Sequence, residues 1–225
     1  AVTAREFATL QGPTGPRFSQ EIEPLAAYGV YRAQKEFDKG RQGLGFISTI
    51  VARGFDDPML RDVNNSSATV IGADGWTFLD SSKTWVTTAW MGASRITGNA
   101  TRITSVQQNS VHYFQKPDAS SVEVDPNATS LSGMAGRFTL AKQRGNTFVN
   151  SAFGFTSPGF DVNDVGFQSR VGYINMHFGG GRTWTKPTKV YRYAETGGAL
   201  FRTYDWDGNI NWSGLFNFGY VQFKN

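Results

Sequence analysis

The sequence predicts an all-β fold in which about ten long antiparallel strands follow one another as an up-and-down meander. Three observations lead to this prediction. Apolar and polar residues alternate with a period of two over most of the chain. The connections between the alternating segments are short and long in turn. Many segments are also longer than the roughly 5–6 residues of an ordinary strand.

Residues rich in Val, Ile, Thr and aromatic side chains define the strands, and Gly, Asn and Asp mark their ends. The predicted strands are 20–37, 43–55, 67–79, 84–97, 131–144, 147–158, 168–184, 189–205 and 209–224. The residues before them are expected to hold the end of a further strand and one short helix, Arg5 to Leu10.

The connections indicate which end of the sheet each loop occupies. Tight turns are predicted at 38–41, 80–83, 144–146 and 185–189, because these segments carry the Gly, Asn, Asp, Ser or Pro residues that hairpins require. Longer loops are predicted at 11–19, 56–66, 98–130 and 158–167, whereas 205–209 is short. In a meander every second connection lies at the same end, so the long loops should collect at one end.

Short turns at one end and long loops at the other are typical of an outer-membrane barrel. Long strands favour the same fold, because a tilted membrane strand needs about 9–11 residues within the hydrocarbon. A soluble β-sandwich would show the same alternation with its apolar face turned inward. The expected fold class is therefore a transmembrane outer-membrane β-barrel, here a single domain over 1–225 and possibly an incomplete part of a larger barrel.

Composition excludes several other classes. The mean hydropathy of −0.36 and the absence of long apolar runs argue against transmembrane helices. The chain has no Cys, which removes disulfides and thiolate ligands. Its net charge of +4 is scattered rather than clustered, so no nucleic-acid partner is expected. Aromatic residues make up 14% of the chain, which fits either membrane-interface girdles or a stacking groove for sugars.

Several segments resemble one bacterial family. They are Ser110–Asp118, Asp125-Pro126, Thr129–Gly133, Ser157–Phe167, Glu23–Val30 and Val221–Phe223. The chain is similar to the barrel portion of an uncharacterised outer-membrane family, the domain of unknown function 5916, whose members usually carry an N-terminal carbohydrate-binding domain of the family-nine type. The resemblance covers nearly the whole chain and implies a barrel fold and an outer-membrane location. It implies no reaction. These residues are expected to match an interior part of the barrel, without the carbohydrate-binding domain.

Catalytic and metal-binding patterns are not expected to operate here. The two histidines, His112 in a loop and His177 on a strand, lack the partners of a hydrolytic triad or a zinc site. Asp161, Asn163 and Asp164 form an oxygen-rich group that could hold calcium, or could cap the backbone of their own loop. The second interpretation is favoured. No cofactor is expected.

Charged and polar residues on the strands are the strongest functional candidates. Because a charge facing lipid near the midplane costs about 2–4 kcal/mol, such residues should face a wet interior or lie near the membrane interface. There they could select solutes by charge, or pair with one another and fill the interior. The candidates for a lumen-facing position are Arg32, Glu36, Arg53, Arg95, Asn211 and Asn217.

The alternation in the last strand predicts which of its residues face lipid and which face the interior. Trp212, Phe216 and Phe218 are expected to contact hydrocarbon. Asn211 and Asn217 are then expected to face the interior.

The leading interpretation is a non-enzymatic outer-membrane barrel that acts as a porin-like channel or as the membrane anchor of a binding domain. Loops 98–130 and 158–167 would fold into or over its mouth and decide access. Its expected partners are outer-membrane lipid, a glycan or small solute, and flanking sequence or another chain that pairs the edges of the sheet. The alternatives are a soluble all-β carbohydrate-binding module and a barrel enzyme with a carboxylate site at its rim.

Overall fold

The computed structural model describes residues 1–224, which form a ten-stranded antiparallel sheet and a separate two-stranded hairpin. The strands are β1 (Val2–Thr3), β2 (Glu6–Gln11), β3 (Arg17–Glu23), β4 (Leu25–Phe37), β5 (Gln42–Gly54), β6 (Ser67–Phe78), β7 (Trp85–Thr97), β8 (Ser130–Lys142), β9 (Thr147–Thr156), β10 (Tyr173–Trp184), β11 (Tyr191–Asp205) and β12 (Ile210–Phe223). Two helices, α1 (Pro58–Val63) and α2 (Ala100–Gln108), lie in connections.

The predicted meander is confirmed. The large sheet has the order β1-β4-β5-β6-β7-β8-β9-β10-β11-β12, so from β4 onward each strand pairs with the strand that follows it in the chain. Most strand boundaries lie within two or three residues of the predicted ones. The largest difference after β4 is at β10, which begins at Tyr173 rather than at 168.

The N-terminal segment differs from the prediction. The expected helix Arg5 to Leu10 is wrong, because Glu6–Gln11 forms β2 and pairs with β3. The expected single strand 20–37 is divided at Pro24, which has no N–H to donate to a ladder. Its first part joins the hairpin and its second part begins the large sheet. Cross-strand pairing thus overrides the local helical preference of the segment.

The prediction that long and short connections separate to opposite ends is confirmed from β4 onward. The predicted long loop 11–19 is wrong, because Gln11 and 17–19 belong to β2 and β3 and the connection 12–16 closes their hairpin. The tight connections after β4, β6, β8 and β10 lie at one end of the sheet, and the connections containing α1, α2 and the segment 157–172 lie at the other. The short turn after β11 is held by Asp205, whose Oδ1 accepts hydrogen bonds from the N–H groups of Asp207 and Asn209.

Both edges of the sheet lack a full-length neighbour within residues 1–224. The edge strand β12 pairs only with β11. The short β1 pairs with β4 at Ala26 and Ala27, and Ala1 makes two backbone hydrogen bonds with Tyr28. No strand pairing joins the two edges to each other in this part of the chain, so the observed architecture is an open antiparallel sheet.

The main hydrophobic core lies between α2 and the sheet. Ile103 and Val106 of α2 are 0% and 1% exposed, and they pack against Val51, Ala68 and Ile96 of β5, β6 and β7. The helix begins at Asn99, whose side chain accepts a hydrogen bond from the Arg102 N–H. The long loop therefore lies on one face of the sheet.

Neither of the helices described in residues 1–224 is long and apolar enough to cross a membrane.

Candidate functional site

Strand register gives the sheet two chemically different faces. Cross-strand partners share a face, and so do residues two apart on one strand. We call the face that contacts α2, which carries Val51, Ala68 and Ile96, the covered face. We call the opposite face the open face.

The open face is apolar across its middle. Twelve exposed hydrophobic side chains of this face, drawn from every strand between β5 and β12, are between 38% and 67% exposed. They are Leu44, Phe46, Ile50, Ile71, Met91, Met134, Phe138, Phe153, Met176, Phe178, Leu200 and Leu215.

Charges on the open face lie toward the ends of the strands. Lys35, Lys142 and Arg182 are near the tight turns, and Arg95 and Arg202 are near the long loops. The acidic residues of the ten-stranded sheet, by contrast, all have covered-face positions. They are Glu36, Asp74, Glu195 and Asp205.

The covered face carries a row of polar and aromatic residues that runs from strand to strand, which we call the polar row. Its members are successive cross-strand partners on β6 to β12. They are Asp74, Trp90, Arg137, Gly154, Asn175, Thr203 and Trp212.

One end of the polar row is neutralised by an ion pair. The Arg32 guanidinium donates through both terminal nitrogens to the Asp74 carboxylate, with Nη2 2.9 Å from Oδ1. The pair lies over Gly45, where a Cβ atom would be 2.6 Å from Arg32 Nη2. Glycine on β5 thus leaves space for a bidentate contact across three strands.

The centre of the polar row carries positive charge without an acidic partner. Arg137 makes no ion pair with any residue of the described segment 1–224. Nearby on the same face, His177 Nε2 lies 2.6 Å from Asn150 Oδ1. This region can donate hydrogen bonds to a group that carries lone pairs.

The long loops are attached to the covered face through buried polar contacts, which we call the loop clasp. The ring of His112 is fully buried, with Nδ1 2.8 Å from the Pro158 carbonyl and Nε2 2.9 Å from Asp161 Oδ2. Through its two ring nitrogens, His112 thus joins the loop after β7 to the segment after β9. The Asp161 N–H in turn donates to Ser94 Oγ on β7.

A second part of the loop clasp surrounds Asp164. Its carboxylate accepts hydrogen bonds from Arg53 on β5 and from the Asn65 amide, and Asn65 also accepts a bond from Arg102 Nε. Burial lowers the pKa of Arg102, while the carboxylates of Asp164 and Asp161 act in the opposite direction. Charges from β5, α2 and the loop after β9 are thereby combined in one network.

The oxygen-rich loop does not form a cation cage. Asp161 Oδ1 accepts the Asn163 N–H, and Asn163 Oδ1 accepts the Gln168 N–H, so both side chains cap the loop backbone. Asp164 is used by Arg53 and Asn65. No group of three or more potential metal ligands converges within residues 1–224.

The six predicted lumen-facing residues do not share one face. Arg32, Glu36 and Arg53 lie on the covered face. Arg95 and Asn217 lie on the open face. Arg95 is close to the loop end of β7, where Nη2 donates to Ser130 Oγ.

The last strand places its aromatic residues differently from the other strands. Asn211 lies at an irregularity in the pairing of β11 with β12, so the strand register does not assign it to either face. Trp212, Phe216 and Phe218 have covered-face positions, although they were expected to share the apolar face of the other strands. Alternation within one strand separates its two sides. Only pairing with neighbours shows which side joins which face.

Sequence reasoning missed several polar residues of this site. Asp74 and Arg137 interrupt apolar strands as Arg53 does, so the same rule would have found them. Ser94, Asn65 and Arg102 carry no comparable pattern, because their roles depend on contacts between distant segments.

Comparison with protein families identifies the family of this chain. The family model described as Domain of unknown function (DUF5916) matches residues 1–210. No curated protein and no solved structure shows significant similarity to the chain. Because the matched segment covers most of the sequence and reaches from β1 to the start of β12, the chain belongs to the DUF5916 family.

Proposed function

We propose that this sheet forms part of the wall of an outer-membrane β-barrel, with the open face toward lipid and the covered face toward the interior. The observation that carries the proposal is the distribution of charge. The middle of the open face is apolar, whereas ion-paired charges such as Arg32–Asp74 occupy the covered face. A membrane barrel requires this separation, because a charge facing lipid at the midplane costs about 2–4 kcal/mol.

Two further features support the same orientation. Open-face aromatic residues Trp85 and Trp184 lie at the tight-turn ends of β7 and β10, where interfacial girdles would be expected. The short turns and the long loops also separate to opposite ends, as periplasmic turns and extracellular loops do in such barrels.

In this proposal the protein acts as a porin-like channel or as the membrane anchor of a binding domain. The loop clasp supports a narrowed mouth, because it holds α2 and the segment after β9 against the interior face. Conductance of the full-length protein in a planar bilayer separates the two roles. A defined current supports a channel, and silence supports an anchor.

The absence of Cys allows a direct test of the orientation. Phe138→Cys places a unique spin label on the open face, and Thr139→Cys places one on the covered face of the same strand. In lipid vesicles, the first label should be relaxed more by oxygen and the second more by a water-soluble nickel chelate. If the nickel chelate reaches both labels equally, the open face does not contact hydrocarbon. A purified chain that stays monodisperse without detergent or partner would contradict the membrane proposal as well.

One observation favours the soluble carbohydrate-binding alternative. Trp212, Phe216 and Tyr220 project from the covered face of β12 and are 67%, 58% and 58% exposed, as expected of a stacking surface for sugar rings. A neutral oligosaccharide that quenches tryptophan fluorescence in detergent-free solution, and loses this effect in Trp212→Ala, would support that function instead.

A further inference from the structure

The centre of the covered face has the composition of a binding site for an anion. Arg137 of β8 lies between Trp90 of β7 and Gly154 of β9 in the polar row. The acidic member of the row, Asp74, is separated from Arg137 by Trp90 and already accepts two hydrogen bonds from Arg32. The charge of Arg137 is therefore not balanced by the nearest acidic group of the row.

Gly154 allows the Asn175 amide to lie beside Arg137. A Cβ atom at this position would lie 2.7 Å from Asn175 Oδ1 and 3.6 Å from Arg137 Cγ. The Asn175 carbonyl oxygen and the Arg137 side-chain stem thus lie above the same glycine, and both residues are partly buried. Because Asn175 Oδ1 is an acceptor, the groups that can donate to a bound oxygen are the Arg137 guanidinium and Asn175 Nδ2.

Two neighbours add to the selectivity of this arrangement. His177, two residues beyond Asn175 on β10, contacts Asn150 Oδ1 through Nε2, so its ring is held beside this arrangement. Trp90, the cross-strand neighbour of Arg137, is 45% exposed and offers an apolar surface beside it. A partly buried guanidinium without a counter-ion is unfavourable, and an oxyanion would remove that cost.

We infer that Arg137 and Asn175, above Gly154, bind the carboxylate or phosphate group of a small organic solute, whose apolar part lies against Trp90. The inference rests on the proposed function only for how the solute reaches the covered face. Binding itself is a property of the folded sheet, whether it is held in lipid or in micelles.

The test measures binding by calorimetry in nonionic detergent at low salt, with benzoate and inorganic phosphate as separate probes. Benzoate combines a carboxylate with a ring that can lie on Trp90, and benzyl alcohol is its neutral control. Because hydrogen bonds to charged groups are stronger than neutral ones, benzoate should bind at least about tenfold more tightly than benzyl alcohol. If phosphate binds as tightly as benzoate, the site binds an oxyanion but Trp90 does not contribute to binding.

Variants locate the site. Arg137→Gln should weaken benzoate binding by about tenfold, and Arg137→Lys should weaken it less, because it keeps the charge and loses the bidentate geometry. Gly154→Val should also abolish binding, since its side chain would displace the Asn175 amide from its place beside Arg137. The matched control is Arg202→Gln, which removes one positive charge from the open face. It should leave binding within about twofold of the unmodified chain.

Equal loss of binding in Arg202→Gln and Arg137→Gln would mean that only bulk charge matters, and would overturn the inference. Benzoate binding that is unchanged in Arg137→Gln, or no binding of either anion at millimolar concentration, would overturn it too. These outcomes are independent of the spin-label test, so failure of the anion site and failure of the membrane orientation can be distinguished.

Discussion

Gly133 and Gly159 are single residues that fix the position of a whole loop. A Cβ atom on Gly133 would lie 2.1 Å from the backbone N of Phe160, and one on Gly159 would lie 2.3 Å from the Ser132 carbonyl. The loop after β9 therefore runs directly against the backbone of β8. Side chains at either position would push it away from the sheet.

This contact gives a prediction for Gly133→Ala. The added methyl group meets backbone rather than a flexible side chain, so the variant should lose about 1–3 kcal/mol of unfolding free energy, measured by urea titration. Gly29→Ala is the control, because a Cβ atom at that strand position meets nothing within 4 Å. It should change the free energy by less than about 0.5 kcal/mol. Equal effects of the two variants would contradict the proposed close approach.

Glu21 is a residue of the hairpin that links three segments. Its carboxylate accepts the N–H groups of Asp56 and Asp57 and bonds to Arg5 Nε at 3.1 Å. Burial raises the pKa of Glu21, but these donors outweigh it and hold the pKa below the ordinary value of 4.5. The ionised form is therefore the one that the fold stabilises.

The sign of this shift sets a pH dependence. A carboxyl group whose pKa is lower in the folded state stabilises the fold fully above its ordinary pKa of 4.5, and this contribution is lost as the pH falls through the folded value. We expect the urea midpoint to decrease below about pH 4.5. Glu21→Gln should lower the urea midpoint at pH 7, and the midpoint of this variant should decrease less as the pH falls. The neighbouring exposed Glu23→Gln should reproduce the unmodified profile, and a matching change in both variants would argue against a specific role of Glu21.

At the scale of elements, α2 shows how a connection becomes part of the core. Ile103 is 0% exposed among side chains of β5, β6 and β7, although the hydrophobic face of the helix is short. A helix of this length is marginal by itself, so packing against the sheet must supply most of its stability.

Ile103→Ala should therefore detach the loop as well as destabilise the fold. Removing a fully buried isoleucine costs about 2–5 kcal/mol, and limited proteolysis should cut first within 98–130. Ser105→Ala changes an exposed position of the same helix and should leave both the urea midpoint and the cleavage pattern unchanged. Cleavage that begins elsewhere would show that α2 does not hold this loop.

At the scale of the whole molecule, the two faces determine where a new charge can be tolerated. Phe138 lies on the open face and its neighbour Thr139 on the covered face, in the middle of the same strand. If the open face contacts hydrocarbon, Phe138→Arg should destabilise the inserted state by about 2–4 kcal/mol. Thr139→Arg should cost much less. Refolding into vesicles across a urea series measures both, and equal costs would contradict the assignment of the faces.

Both edge strands of the ten-stranded sheet are largely unpaired. β12 has one neighbour and β4 is covered only from Ala26 to Tyr28, so main-chain donors and acceptors remain unpaired along both edges of the described sheet. Such edges are unfavourable in lipid and adhesive in water. The predicted pairing of these edges with flanking sequence or another chain stays a prediction.

The amino-acid sequence by itself determined the strands, their meander order and the end at which each loop lies. These features depend on short-range information, namely the period of the side-chain pattern and the turn residues between segments. The prediction from the sequence was wrong at Arg5–Leu10, where pairing of β2 with β3 decides the conformation.

Only the tertiary structure decided which side chains share a face and which distant residues meet. Alternation with a period of two separates the two sides of one strand but does not say which face of the sheet each side belongs to. Trp212 lies on the same face as Arg32 because of the register of all the strands between them. The pairing of Arg53 with Asp164 joins residues 111 positions apart. Such contacts depend on how loops pack on the sheet, and no local pattern in the sequence encodes that packing.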